Sequence, residues 1–150
     1  MSPSPSCIAS IRAHEGLRLK AYLCPTGHPT IGYGHAGPEV RLGQEITLSE
    51  AERLLAADVK TFATGVERAL GGAPTTQNQF DAFVSLAYNI GMGNFTPSTA
   101  VRRHKGRDYK GAAQAITWWN KGTNPKTGLK EVIDGLVTRR AAEAALYLRP

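Results

Sequence analysis

"HEGLRLKAYLCPTGHPTIGYGH", residues His14–His35 of a 150-residue chain, changes its hydrophobic period partway along. Leu17, Leu19, Ala21 and Leu23 alternate with Arg18, Lys20 and Tyr22, the period of two expected of a strand with one apolar face. "CPTGHP" is turn chemistry, with Pro25 and Gly27 placed for a tight reversal, and "TIGYGH" returns as a second short strand. "PEVRLG" is expected to supply a third, so that residues 17–45 form a small antiparallel hairpin sheet. Upstream, Ser and Pro alternate over Ser2–Ser6, and residues 1–7 are expected to be a flexible tail. A short helix is expected from Ile8 to His14, with Ser6 or Ser10 near its start and Gly16 as its stop.

Beyond the hairpin the period is helical. Thr47 or Ser49 caps a helix whose stripe Leu48, Ala51, Leu54, Leu55, Val59, Phe62 and Val66 runs to about Leu70. A second opens at Thr75–Thr76, runs through "QNQFDAFVSLAYNI" and closes at Gly91 and Gly93. A third is expected near Ser98–His104, a fourth from Asp108 to Trp119 and a last from Leu136 to Leu148, with "NKGTNPKTGLKEVIDG" as a loop before it. A three-stranded sheet cannot bury a chain of this size, whereas these helices can. The expected fold is α+β: residues 8–150 as one domain, with a small N-terminal β lobe, a larger helical lobe and a cleft where they join.

Charge and composition limit the function classes. The net charge of +6 suits an anionic partner: nucleic acid, a membrane surface or an acidic polymer. No apolar run approaches the ~20 residues that cross a bilayer. The N-terminus carries neither a basic nor an apolar signal region, so no signal peptide is expected and the chain reads as soluble and cytosolic. Two cysteines make no disulfide scaffold, although pairing of Cys7 with Cys24 is left open.

Each candidate motif has a plain reading beside its chemical one. "GYGHAG" (Gly32, Gly34, Gly37) matches a dinucleotide fingerprint, but the Pro38–Gly43 segment after it does not form the required helix, and glycines also serve where backbones pass closely. Cys24, His28 and His35 could be drawn as a metal site, yet no paired ligand spacing supports it, and hydrogen-bonded or exposed histidines are the default. Cys24 with His28 or His35 as base could be a nucleophilic pair, although Cys24 ends a strand rather than opening a helix. Glu15, at a helix-to-sheet junction beside Leu17, could be a half-buried general acid or a solvated helix-end glutamate. One of Trp118 and Trp119 could stack on a sugar, though core packing is the commoner use, and "VRRHKGR" reads as a solvated face.

Glu15, eight intervening residues, Cys24, five more and Thr30, running into "TIGYGH", resembles the signature of phage-type lysozymes (endolysins): Glu, then Asp or Cys, then Thr. "EAERLLAADV", "QFDAFVSLAYNIGMGNF", "PSTAVRRHKG" and "GLVTRRAAEAAL" resemble successive helices of that family, in order, from about Ile8 to Leu148. The resemblance implies a lysozyme-like fold and a muramidase that cuts the β-1,4 bond between N-acetylmuramic acid and N-acetylglucosamine. Glu15 would be the general acid, Thr30 would hydrogen-bond a water, and Cys24 stands where an aspartate orients or deprotonates that water. Tyr88, Asn89 and Ser98 match glycan-contacting positions, and Arg139 or Arg140 matches the arginine that pairs with the catalytic glutamate. No metal, cofactor, nucleic acid or stable membrane insertion is implied. A monomer made in the host cytoplasm and released to the wall through a holin lesion is expected. A cysteine-dependent wall amidase or peptidase, and a murein-binding module with a dead site, are the rival readings.

Overall fold

The computed structural model describes residues Met1–Pro150 as seven helices and two separate two-stranded antiparallel sheets. In chain order these are α1 (Pro5–Glu15), β1 (Arg18–Leu23), β2 (Pro29–Gly32), α2 (Leu48–Leu70), α3 (Gln77–Ile90) and α4 (Met92–Phe95). They are followed by α5 (Thr99–Lys105), α6 (Tyr109–Ile116), β3 (Lys121–Thr123), β4 (Lys130–Val132) and α7 (Asp134–Leu148). The expected α+β architecture is therefore present.

α3 lies at the centre, packed against α1, α2, α4 and α7. It starts at a capping box, with the Thr76 hydroxyl accepting from the Gln79 N–H and the Gln79 side chain accepting from the Thr76 N–H. Every residue from Gln79 to Ala87 is buried, so this helix has no solvent face over more than two turns. Phe83 packs among Phe95, His104 and Tyr147, with ring centroids 5.1–5.3 Å apart. Each large apolar side chain so buried contributes about 1.5–3 kcal/mol. α2 turns Ala51, Leu55, Val59, Ala63, Val66 and Leu70 inward, the stripe its sequence spacing predicts. Polar groups gather at the C-terminal end of α1 and on the flanks of α3 and α7, at Glu15, Ser85, Arg139, Arg140 and Glu143.

Four expectations need correction. The N-terminus is anchored rather than a free tail: Ser4 caps α1, Pro5 occupies its first turn, and Cys7 is buried. Proline suits that position because its missing N–H would have no helical acceptor. Ser4 also donates through Oγ to Asp81 at 2.5 Å, and the Met1 ammonium lies 2.6 Å from Glu67. Second, "PEVRLG" forms no third strand. Pro38 lacks a donor and Gly43 sits at φ 88°, and the chain meets β1 only beyond the segment, through Ala21 N–H to Gln44 O and Ile46 N–H to Leu19 O. Third, the apolar alternation of β1 is not covered: Leu19 and Leu23 remain 42% and 54% exposed. Fourth, the loop after α6 contains the β3–β4 hairpin, whose three-residue strands are too short to show a period, and α6 ends at Ile116 rather than Trp119.

Candidate active site

Glu15 is the last residue of α1. Gly16, at φ 70°, ends the helix and turns the chain into β1, so the carboxylate is presented where helical and β lobes meet. The Glu15 side chain is 18% exposed and its Oε1 accepts from Arg139 Nη1 at 2.9 Å. On its other side lies Gly34, at φ 83°; a Cβ there would stand 3.1 Å from Glu15 Oε2. The glycine of "GYGH" is thus required twice, by its backbone conformation and by the carboxylate beside it.

Arg139 and Arg140 separate the two roles that the sequence leaves open between them. Arg139 is the partner of Glu15, while Arg140 donates through Nη1 to Asn89 Oδ1 at 2.8 Å. Both arginines are buried, at 4% and 0% exposure, and both face Glu143 on the same helix. Burial lowers the pKa of the Arg140 guanidinium, with Glu143 opposing that shift.

Cys24 and Thr30 flank the β1–β2 turn. The Gly27 N–H donates to Cys24 O at 2.8 Å and closes the turn, while the Cys24 N–H donates to His28 O at 3.0 Å. Thr30 is buried and its hydroxyl donates to the same His28 carbonyl at 3.0 Å. The half-buried Cys24 thiol lies 3.0 Å from the Thr26 hydroxyl. That hydrogen bond, against some burial and with help from the turn's backbone and Thr30, lowers the thiol pKa to about 7. Tyr22 feels both halves of the site: burial raises its phenol pKa, Arg18 opposes this, and the charges of both Glu15 and Cys24 add to the rise.

The other expected site residues divide. Tyr88 donates to Tyr33 O at 2.7 Å, and its phenol pKa is raised by burial, by Asp58 and by Glu15. It therefore lies within electrostatic reach of the Glu15–Arg139 pair. Asn89 is exposed one residue on and tied to Arg140. Ser98 is different: it is 6% exposed and its hydroxyl accepts from the Val101 N–H as the cap of α5. Its environment is that of a helix cap, not of a glycan contact.

The rival chemistries lose their parts. His35 is held between Asp58 at 2.7 Å and Glu39 at 2.6 Å, so it is no base for Cys24. Gly32 ends β2 and Gly34 lies in the turn after it, with no helix following until Leu48, so no phosphate cradle forms. Cys7 and Cys24 are both free; Cys7 is buried, its Sγ 3.5 Å from Asp81 O. Trp118 is 51% exposed with Arg103 over its ring at 5.0 Å, while Trp119 packs against the core.

Sequence reasoning missed Tyr22, Ser85 and Glu143. Tyr22 was hidden inside a strand alternation. Glu143 had a signal, since it follows Arg139 by four residues and Arg140 by three, the spacings that put helical side chains on one face.

The chain is similar to phage endolysins and to other muramidases. The chain is 45% identical over 150 residues to the endolysin of Bacillus phage PZA, which covers 98% of this chain but only 55% of that protein. Among solved structures, the endolysin from Escherichia coli O157:H7 phage FAHEc1 superimposes with a TM-score of 0.86 at 43% identity, covering 99% of this chain and 94% of that one. The muramidase domain of SpmX from Asticaccaulis excentricus does so with a TM-score of 0.86 at 37% identity, over 98% and 97% of the two chains. The family model of phage lysozyme matches residues 12–143, spanning the site from just before Glu15 to Glu143, and the chain belongs to that family.

Proposed function

We propose that this chain is a peptidoglycan muramidase of lytic function, hydrolysing the β-1,4 bond between N-acetylmuramic acid and N-acetylglucosamine. The observation that carries this reading is the half-buried Glu15 carboxylate, held by Arg139 at 2.9 Å at the lobe junction, with the Cys24–Thr30 turn on the β-lobe side. In the protonated state Glu15 donates to the leaving glycosidic oxygen. Thr30 and Cys24 hold the water that attacks the anomeric carbon, and the thiol, poised near neutral pKa, accepts or orients its proton. Tyr88 and Asn89 line the glycan path, and the basic charge favours encounter with a polyanionic wall. No helix is long and apolar enough to cross a membrane. Synthesis as a monomer in the host cytoplasm, followed by passage to the wall through a holin-type lesion, belongs to the same proposal.

The cysteine-peptidase reading is not favoured, because the neighbour of the Cys24 thiol is the Thr26 hydroxyl, and His35, one of the two candidate bases, is held by Asp58 and Glu39. One experiment separates the readings: release of reducing sugar ends and of free amino groups from purified peptidoglycan by wild type, Glu15→Gln and Cys24→Ser. A muramidase releases reducing ends only, and Glu15→Gln releases none. Full activity in Glu15→Gln, or amino-group release lost in Cys24→Ser, overturns the proposal.

A further inference from the structure

All three guanidinium nitrogens of Arg139 are committed. Nη1 donates to Glu15 at 2.9 Å, Nη2 to the Ser85 carbonyl at 3.3 Å and Nε to Glu143 Oε2 at 3.4 Å. The same Glu143 oxygen accepts from Ser85 Oγ at 2.5 Å and from Arg140 Nη2 at 3.1 Å. Its other oxygen, Oε1, faces Arg140 Nε at 2.5 Å, an ion contact at an angle outside hydrogen-bond geometry. Glu143 is 4% exposed, so this carboxylate is a buried charge between two buried cations. The row runs Glu15, Arg139, Glu143, Arg140 with alternating sign and ends at Asn89 in the candidate glycan path.

A general acid beside a guanidinium faces a contradiction. An opposite charge at hydrogen-bond distance stabilises the carboxylate and depresses its pKa by about 1–3 units, whereas the reaction needs the carboxylic acid. A second carboxylate on the far side of the same guanidinium relieves this. It takes a share of the cation's field and fixes the guanidinium so that only one N–H reaches Glu15.

We propose that Glu143, anchored by Ser85, is a positioning residue of the hydrolytic site: it aims Arg139 at Glu15 and divides its charge, so that Glu15 can hold a proton at the working pH. This rests on the reading of Glu15 as general acid. The groups facing Glu15 are Arg139 and, beyond it, Arg140 from α7, Tyr88 from α3, and Tyr22 and, beyond it, Cys24 from the β lobe. Those facing Glu143 are Arg139 and Arg140 on its own helix, Ser85 and Asp81 from α3 and Cys7 from α1. His14 and Arg149 share the cavity of about 350 Å³ behind it. Burial, Asp81 and Glu143 push the Cys7 thiol up to about 12, so it stays neutral across the assay range.

The test is the pH profile of peptidoglycan lysis by the full chain. Glu143→Gln keeps shape and removes the charge. Arg139 then acts on Glu15 alone, and the alkaline limb of the lysis profile moves down by about one unit. Activity on that limb falls about tenfold. Glu143→Asp, which keeps the charge, leaves the limb at its wild-type pH. An unmoved limb in a folded Glu143→Gln protein, with activity lowered evenly at all pH, overturns the proposal. Should Glu143→Gln not fold, Ser85→Ala serves, because it frees the carboxylate from its anchor while keeping its charge. Turnover then falls several-fold at unchanged half-saturating peptidoglycan, and wild-type turnover overturns the proposal. Failure of the underlying reading looks different: Glu15→Gln would remain active whatever the Glu143 variants do.

Discussion

Arg139 Nη1 donates to Glu15 Oε1 across 2.9 Å, joining residues 124 positions apart in the chain. Arg139 comes from the middle of α7 and Glu15 from the C-terminal end of α1, and neither belongs to the β lobe. The Glu15 carboxylate is thus positioned by the helical lobe, and the Cys24–Thr30 turn by the sheet. Replacing Arg139 by Met leaves the Glu15 and Glu143 carboxylates without it. Breaking a buried pair in this way costs about 3–5 kcal/mol. A drop in Tm is therefore expected, together with loss of most lytic activity at temperatures where the variant is still folded. Thermal unfolding and turbidity loss, measured on the same preparation, check both.

Cys24 and Cys7 differ in environment and so in reactivity. With its thiol pKa lowered to about 7, Cys24 should alkylate with a rate that rises through neutral pH. Cys7, buried and pushed up to about 12, should stay unmodified in the folded protein. Peptide mass spectrometry after iodoacetamide treatment between about pH 5.5 and 8.5, about one and a half pH units either side of the thiol's midpoint, distinguishes them. Alkylation of Cys24 should abolish lysis. Cys24→Asp puts a carboxylate of pKa about 3.9 in the same place, so the acidic limb of activity should move to lower pH.

His35 links three segments: its own turn, Glu39 four residues on, and Asp58 in α2. Burial lowers its pKa, but the hydrogen bonds it donates to Glu39 and Asp58 outweigh this and raise it above 6.5. A raised folded-state pKa contributes stability that is fully present below the unfolded value and lost as pH rises through the folded one. Glu39 shifts the opposite way, lowered by His35, so its share is present above the unfolded carboxylate value and lost as pH falls. His35→Asn should therefore lower Tm most between these limits, around pH 5–6, and least at alkaline pH. A Tm difference that is constant from pH 5 to pH 9, either side of the ordinary histidine value, would contradict the pairing.

Gly34 and Gly72 both sit at φ 83°, but only Gly34 has a neighbour where a Cβ would go. Alanine at either position should cost about 1–2 kcal/mol for the left-handed backbone. Only Gly34→Ala should also displace the Glu15 carboxylate and reduce lysis beyond what its stability loss explains. Equal activity in the two variants at equal Tm would remove Gly34 from the site.

Local signals carried much of the fold. The 3.6-residue stripes of α2 and α3, the caps Thr47 and Thr76, and the Pro25–Gly27 reversal are all properties of short stretches, because a helix face or a turn is set by neighbours within a few residues. Elements whose partners are distant were misread. Met1–Cys7 is locally a Ser-Pro tail, yet it is fixed by Asp81 and Glu67, which no local pattern reveals. The β3–β4 hairpin has strands too short for a period to emerge. The apolar face of β1 met nothing to cover it.

The site divides in the same way. Sequence by itself determined the spacing Glu15–Cys24–Thr30 and its resemblance to phage lysozymes, since those residues lie on one short helix–hairpin unit whose internal geometry is local. Only the tertiary structure decided which arginine meets Glu15. Arg139 and Arg140 are adjacent and chemically identical, and successive side chains on a helix point about 100° apart. The packing of α7 against α3 turns Arg139 toward α1 and Arg140 toward Asn89, with Glu143 and Ser85 buried between them. The identity of a buried ion pair is a property of how faces meet, and faces meet only once the chain has folded.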